Sequence, residues 1–171
     1  MLASGTLFVM PAPKTKKSNG SSEAQLDTFI DKYTTEIARL ARACQAKMRT
    51  RLPGATQLVY DNYNFLAIGF GPSEKASHAI FSIALAPRWV DLFFLQDAGK
   101  LPDPHKLLKG SGSMARHIVI QSASELDQPA VQELIAEALK RAIAPIDPAA
   151  PGPLIIRSIS AKQRPRRPVD H

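Results

Sequence analysis

The sequence predicts an α+β fold: a two-layer sandwich in which an N-terminal and a C-terminal helix cover a five-stranded, mainly antiparallel sheet. Three observations lead there. Two segments with apolar residues at helical spacing stand near the two ends of the chain. Between them the hydrophobic period falls to 2 or to short unbroken apolar runs. The first four of these runs are joined by links too short for a parallel return, which needs about a dozen residues or more.

Taken in order, residues 1–22 are polar and rich in Lys, Pro, Gly and Ser, and are expected to be a disordered basic tail. The first helix is expected over roughly 24–51. Leu26, Phe29, Ile30, Tyr33, Ile37, Leu40, Ala41, Cys44 and Met48 fall within about 120° of arc at 100° per residue. Ser22 is its expected cap, and Pro53-Gly54 ends it. Cys44 lies on the apolar side and reads as a small buried hydrophobe. Strands are expected at Thr56–Tyr60, Phe65–Phe70, Ala79–Ala86 and Trp89–Leu95, separated by turn residues. The third sets Phe81, Ile83 and Leu85 opposite Ser82, Ala84 and Ala86; the fourth sets Val90, Leu92 and Phe94 opposite Trp89, Asp91 and Phe93. Both sheet faces therefore hold apolar groups, which suits a cavity or a dimer surface on the face that the helices leave open. After an irregular stretch with one helical turn at Pro104–Leu108 come a fifth strand at Arg116–Gln121 and a second helix. In that helix Val131, Leu134, Ile135, Ala138, Leu139, Ala142 and Ile143 form the apolar stripe, with Asp127 as cap and Pro129 in the first turn. The single domain thus spans 23–145. Residues 146–171 form a Pro-rich extension with an edge strand at 154–159 and a basic tail.

The chain has 171 residues and a formal charge of +7. Residues 1–25 contribute +2, from Lys14, Lys16 and Lys17 against Glu23, and 157–171 contribute +4, from five cations against Asp170. The body from 26 to 156 holds 14 basic and 13 acidic residues and is almost neutral. The basicity belongs to the ends, which read as solvated charge with, at most, weak salt-sensitive contact to polyanions. A lone cysteine excludes an intramolecular disulfide. No apolar run reaches membrane-spanning length, and a cytoplasmic location is expected. Residues 1–9 lack the charged start of a signal peptide, and Met10 reads as the natural initiator.

The stretch Lys109-Gly-Ser-Gly-Ser113 has the composition of a phosphate cradle, but it follows an irregular segment and opens a strand rather than a helix. It reads as a flexible turn, with a weak anion site on Lys109, Arg116 and loop amides as the alternative. His78, His105, His117 and His171 lack metal-ligand spacing, so no metal and no cofactor are expected. No catalytic residue is assigned, and the weight falls against an enzyme. The candidate ligand-binding residues are Tyr60, Asp61, Tyr63, Arg88, Trp89, Asp91, Lys109, Arg116 and His117, which mix aromatic and charged groups near the strands as pockets do.

Several motifs resemble the YdhG-like family, a bacterial domain family of unknown function. They are Val59-Tyr-Asp-Asn-Tyr63, Ile68-Gly-Phe-Gly71, Ala86-Pro-Arg-Trp89, Leu101-Pro-Asp-Pro-His-Lys-Leu-Leu108, Gly110-Ser-Gly112 and Ser122-Ala-Ser-Glu-Leu-Asp127. The resemblance covers about 25–145 and implies an α-β(5)-α fold similar to frataxin. Some relatives are described as frataxin-like iron chaperones, a role that needs clustered acidic groups on the first helix. Here Asp27, Asp31 and Glu36 are mixed with Lys32, Arg39, Arg42 and Arg49, so the iron role is not carried over. The expected function is a small, non-enzymatic, cytosolic binding or accessory protein, monomeric or homodimeric, with its surface on the open sheet face and an unidentified small molecule as partner. The alternatives are nucleic-acid association through the tails and an enzyme acting on a small anion around Arg88, Arg116 and His117.

Overall fold

The structure, a computed structural model, describes residues 11–169. The expected start at Met10 and the part of the basic tail before Pro11 lie outside these residues. Three α-helices and a six-stranded mixed sheet make up an α+β fold. The strands are β1 Thr56–Asp61, β2 Leu66–Gly71, β3 Phe81–Leu85, β4 Val90–Phe94, β5 Arg116–Ile120 and β6 Leu154–Ile159. Their spatial order is β5-β4-β3-β2-β1-β6. The first five pair antiparallel, as the short links require. The sixth lies at the edge strand expected over 154–159 and extends the expected five-stranded sheet: β6 joins beside β1 and parallel to it. A parallel neighbour becomes reachable because α3, Pro129–Lys140, and the proline-rich segment after it carry the chain back across the sheet. The return passes close to the turn before β1. A Cβ on Gly54 would lie 1.9 Å from the Asp147 carbonyl oxygen, and one on Gly152 would lie 2.9 Å from that of Ala55. Both glycines also have positive φ, 83° and 60°, so side chains are excluded twice over.

The single N-terminal helix expected over 24–51 is two helices, α1 Pro11–Ile30 and α2 Thr35–Arg51. The helix starts inside the stretch expected to be disordered, since prolines in a first turn give up no hydrogen bond that a helix needs. That start also removes Ser22 as a cap. The real cap is Thr34, whose side chain accepts from the Ile37 amide at 3.3 Å. The break was hidden because the apolar spacing runs through it: Ile30, Tyr33 and Ile37 are all buried on the same core. Tyr33 supplies the reason for the break. Its hydroxyl donates to the Leu85 carbonyl at 3.0 Å and accepts from the Leu66 amide at 3.1 Å, bridging register partners of β2 and β3. Burial raises its pKa to about 12, so the donor proton stays in place.

Helices and sheet enclose one core. Leu66, Ile68 and Phe70 pair with Leu85, Ile83 and Phe81, and these with Val90, Leu92 and Phe94, so all share the helix-facing side. Phe81 and Phe94 meet edge to face at 5.5 Å. Cys44 lies in this core, and burial pushes its thiol up to about 11. Two local expectations change. Asp127 does not cap α3; it ends a 3-10 turn and takes Lys47 and, at 2.7 Å, Arg51 from α2, while Gln128 stands at the cap. Residues 104–108 form a turn rather than a helix, because the Asp103 carboxylate accepts the Leu107 and Leu108 amides, each at 2.9 Å.

The largest correction concerns the C-terminal basic tail, which is docked rather than solvated. Ser160 N–H donates to the Asp61 carbonyl at 2.8 Å, and Arg164 N–H to that of Tyr63 at 2.8 Å. Arg166, 5% exposed, reaches the Asp61 carboxylate at 2.9 Å, and its guanidinium lies 5.7 Å from the centre of the Tyr33 ring. Asp61 is 1% exposed, and a carboxylate so buried demands a cation. Asp61→Ala is expected to lower the unfolding free energy by about 3–5 kcal/mol in a denaturant titration, because a buried charge loses its partner. The same variant should expose 160–169 to protease. Tyr33→Phe, which leaves the buried Leu66 amide without an acceptor, should cost about 1–3 kcal/mol in the same assay.

Candidate functional site

Strand alternation sorts the candidate residues into two groups. Neighbours in a strand point to opposite faces, so Tyr60 and Asp61 cannot share one, nor can Arg116 and His117. Asp61 pairs with Leu66 and Arg116 with Phe94, which puts both on the helix-facing side. Asp61 is consumed by Arg166, and Arg116 donates from Nε to the Gly112 carbonyl at 2.9 Å. Neither therefore joins a site on the open face. Tyr60, opposite Ala67, lies on that face but outside the hollow described below. Tyr63 stays in the β1–β2 turn with Arg164 over its ring at 5.8 Å. Trp89, Asp91 and His117 stand on the open face, and Lys109 joins them by pairing with His117 through backbone bonds of 2.7 and 3.0 Å.

The centre of the open face is made of small residues. Ala67, Gly69, Ser82 and Ala84 occupy the positions behind the bulky core side chains. Ala67 and Ala84 are nonetheless buried, along with Leu58, and stand outside the main core. Larger groups rise at the rim of this trough. At the end of the sheet near the β3–β4 hairpin, a hollow of about 810 Å³ opens between the hairpin and the docked tail. Phe65, Trp89 and Phe93 give it ring surfaces, Ala84 and Asp91 line it from the sheet, and Arg88, Arg164 and Arg167 complete the lining, with the Arg164 guanidinium over Tyr63 and the Arg167 Nε on the Lys32 carbonyl. His117 backs Phe93, ring to ring at 5.0 Å. The volume is in the usual range for small-molecule sites, about 300–1,000 Å³.

Asp91 is the unusual member. It is 9% exposed, and its Oδ1 is buried without a hydrogen-bond donor. Burial raises its pKa above the ordinary aspartate value, while His117, hydrogen bonding from Trp89 and the charge of Lys109 oppose the rise. The hollow therefore holds a carboxyl that folding has stripped of water without a full set of partners. Arg88 and Arg164 make no ion pair among the described residues, and Arg167 bonds only the Lys32 carbonyl, at 3.2 Å. Sequence reasoning missed Phe65, Phe93, Arg164 and Arg167. Phe93 was detectable by its alternation with Asp91; the tail arginines were not, because only the buried Asp61 explains their position.

Elsewhere the chemistry is structural. Arg42 of α2 pairs with Asp31 at 2.7 Å and with Asp27 of α1 at 3.5 Å, so two of the three acidic groups named for the iron role are in ion pairs. Gly110 takes φ 107° in a turn that leads into β5 and opens no helix. Among the described residues no group of three His, Cys, Asp or Glu side chains converges as metal ligands, and no helix is long and apolar enough to cross a membrane. The chain matches no family model, no curated protein and no solved structure.

The raised pKa of Asp91 has a definite linkage sign. A carboxyl that binds its proton more tightly folded than unfolded makes stability fall as pH rises from 3.8 through the folded-state value. Asp91→Asn, neutral and of the same shape, should melt at a higher temperature than the parent at pH 7. The gap should close once the pH is below 3.8, as calorimetry across the pH range would show.

Proposed function

We propose that this chain is a non-enzymatic small-molecule binding or accessory protein whose ligand occupies the hollow between the β3–β4 hairpin and the docked tail. The observation that carries the reading is Asp91, a nine-tenths buried carboxyl with an unpartnered oxygen, lining an aromatic-walled hollow with arginines around it. Proteins keep such a destabilising group where a ligand supplies what the fold withholds. Ring faces, guanidinium groups and one carboxyl are suited to holding and orienting a molecule. The resemblance to the YdhG-like, frataxin-like family belongs to this proposal, as does a cytoplasmic location; the antiparallel β1–β5 meander between helices supports the family part. The polyanion reading is weaker than the composition suggests, because Arg166 is committed to Asp61, Arg164 lies over Tyr63 and Arg167 bonds the Lys32 carbonyl.

Trp89 is the only tryptophan of the chain, so its fluorescence reports on the site without a label. A thermal-shift screen of metabolites on the full chain should find compounds that raise the melting temperature and also change Trp89 emission. A ligand present at 100 times its Kd adds about 2.7 kcal/mol of stability. Compounds that stabilise the parent and an Arg88→Ala, Asp91→Asn double variant equally would refute the site, as would a screen in which nothing perturbs Trp89.

A further inference from the structure

The lining of the hollow restricts its ligand more tightly than size does. Three arginines and one aspartate make the lining net positive, which disfavours a simple organic cation. A simple anion satisfies the arginines but leaves Asp91 facing a second negative charge and its Oδ1 still without a donor. The ligand must bring N–H donors to Asp91 and negative charge to the arginines at once. Between these two demands stand the faces of Trp89 and Phe65, 48% and 39% exposed, which an aliphatic zwitterion would leave wet.

We infer that the hollow takes a guanine mononucleotide, a proposal that rests on the binding reading above. The base stacks on Trp89, an arrangement that suits the π-face of any purine. Trp89 and Asp91 both line the hollow, and the Trp89 side chain hydrogen-bonds the carboxyl, so the carboxyl stands at the edge of the ring that carries the base. Guanine presents two adjacent N–H donors on its pairing edge, and one carboxylate accepts both. Adenine puts a ring-nitrogen acceptor beside its amino group, where it would meet the lone pairs of Asp91. Arg88, next to Trp89 in the hairpin, takes the phosphate, and Arg164 and Arg167 across the hollow add positive charge. The tail thus takes part in binding through the same segment that Arg166 anchors.

The test is quenching of Trp89 fluorescence in the full chain by GMP, AMP, guanosine and ribose 5-phosphate. GMP should bind more tightly than the other three, since each lacks at least one of the recognised features. Asp91→Asn should weaken GMP by roughly 5- to 150-fold, the range for a good two-pronged base contact, and strengthen AMP, whose ring nitrogen then meets an amide donor. Arg88→Ala should weaken GMP and AMP alike and flatten the salt dependence, with guanosine unaffected. Ribose 5-phosphate binding as well as GMP, or an Asp91→Asn protein that keeps its preference for GMP, would overturn the assignment. A different compound that shifts Trp89 emission while GMP does not would remove the nucleotide and leave the binding site standing. Silence from every compound would remove both.

Discussion

Arg166 and Asp61 are 105 residues apart in the chain and 2.9 Å apart in space. Around this pair the remaining architecture is arranged. Asp61 ends β1 on the helix-facing side, where water does not reach it. Arg166 enters from the tail, lies over the Tyr33 ring and also donates to the Asn62 carbonyl. Tyr33 in turn bridges β2 and β3 from the junction of α1 and α2. A helix junction, a sheet end and the C-terminal segment are thereby held at one point. Such a pair adds less net stability than its Coulomb attraction suggests, because both ions have left water. Its consequence is positional: the tail can lie along one path only, and that path walls the hollow.

The two faces of the sheet carry different kinds of side chain. Towards the helices, bulky side chains pack into the buried core. Away from them, Ala67, Gly69, Ser82 and Ala84 form a shallow trough, and the groups that rise from its margins are aromatic or charged. Small residues in the middle of a sheet forgo packing and pleat-filling, which weakens strands. Here one of them, Ala84, lines the hollow with Trp89 and Phe93. Asp91 belongs to the same pattern, a residue that an apolar substitute would better in purely structural terms.

Periodicity determined much of the fold. The β1–β5 order, the antiparallel pairing and the amphipathic character of α2 and α3 follow from apolar spacing and from links too short for a crossover. The break at residues 31–34 was not legible, because Tyr33 sits at a spacing that continues the helical stripe and its hydrogen bonds go to partners 33 and 52 residues away. Part of the site was equally legible. Trp89 and Asp91 alternate with the core residues of β4, so a shared face was readable, whereas grouping Arg116 with His117 broke the two-residue period of a strand.

What the sequence by itself determined is therefore local: which segments are helix or strand, which strand positions face the core, and that the net charge lies at the ends. Tertiary structure alone decided where the last strand pairs, that Asp61 is enclosed, and that the C-terminal arginines serve a wall and an anchor rather than solvent. The physical reason is range. Backbone periodicity and turn sterics act over a few residues and leave a mark on every window of the chain. The charge of Arg166 gains its partner only after more than a hundred intervening residues have folded, and no local pattern encodes a contact of that span.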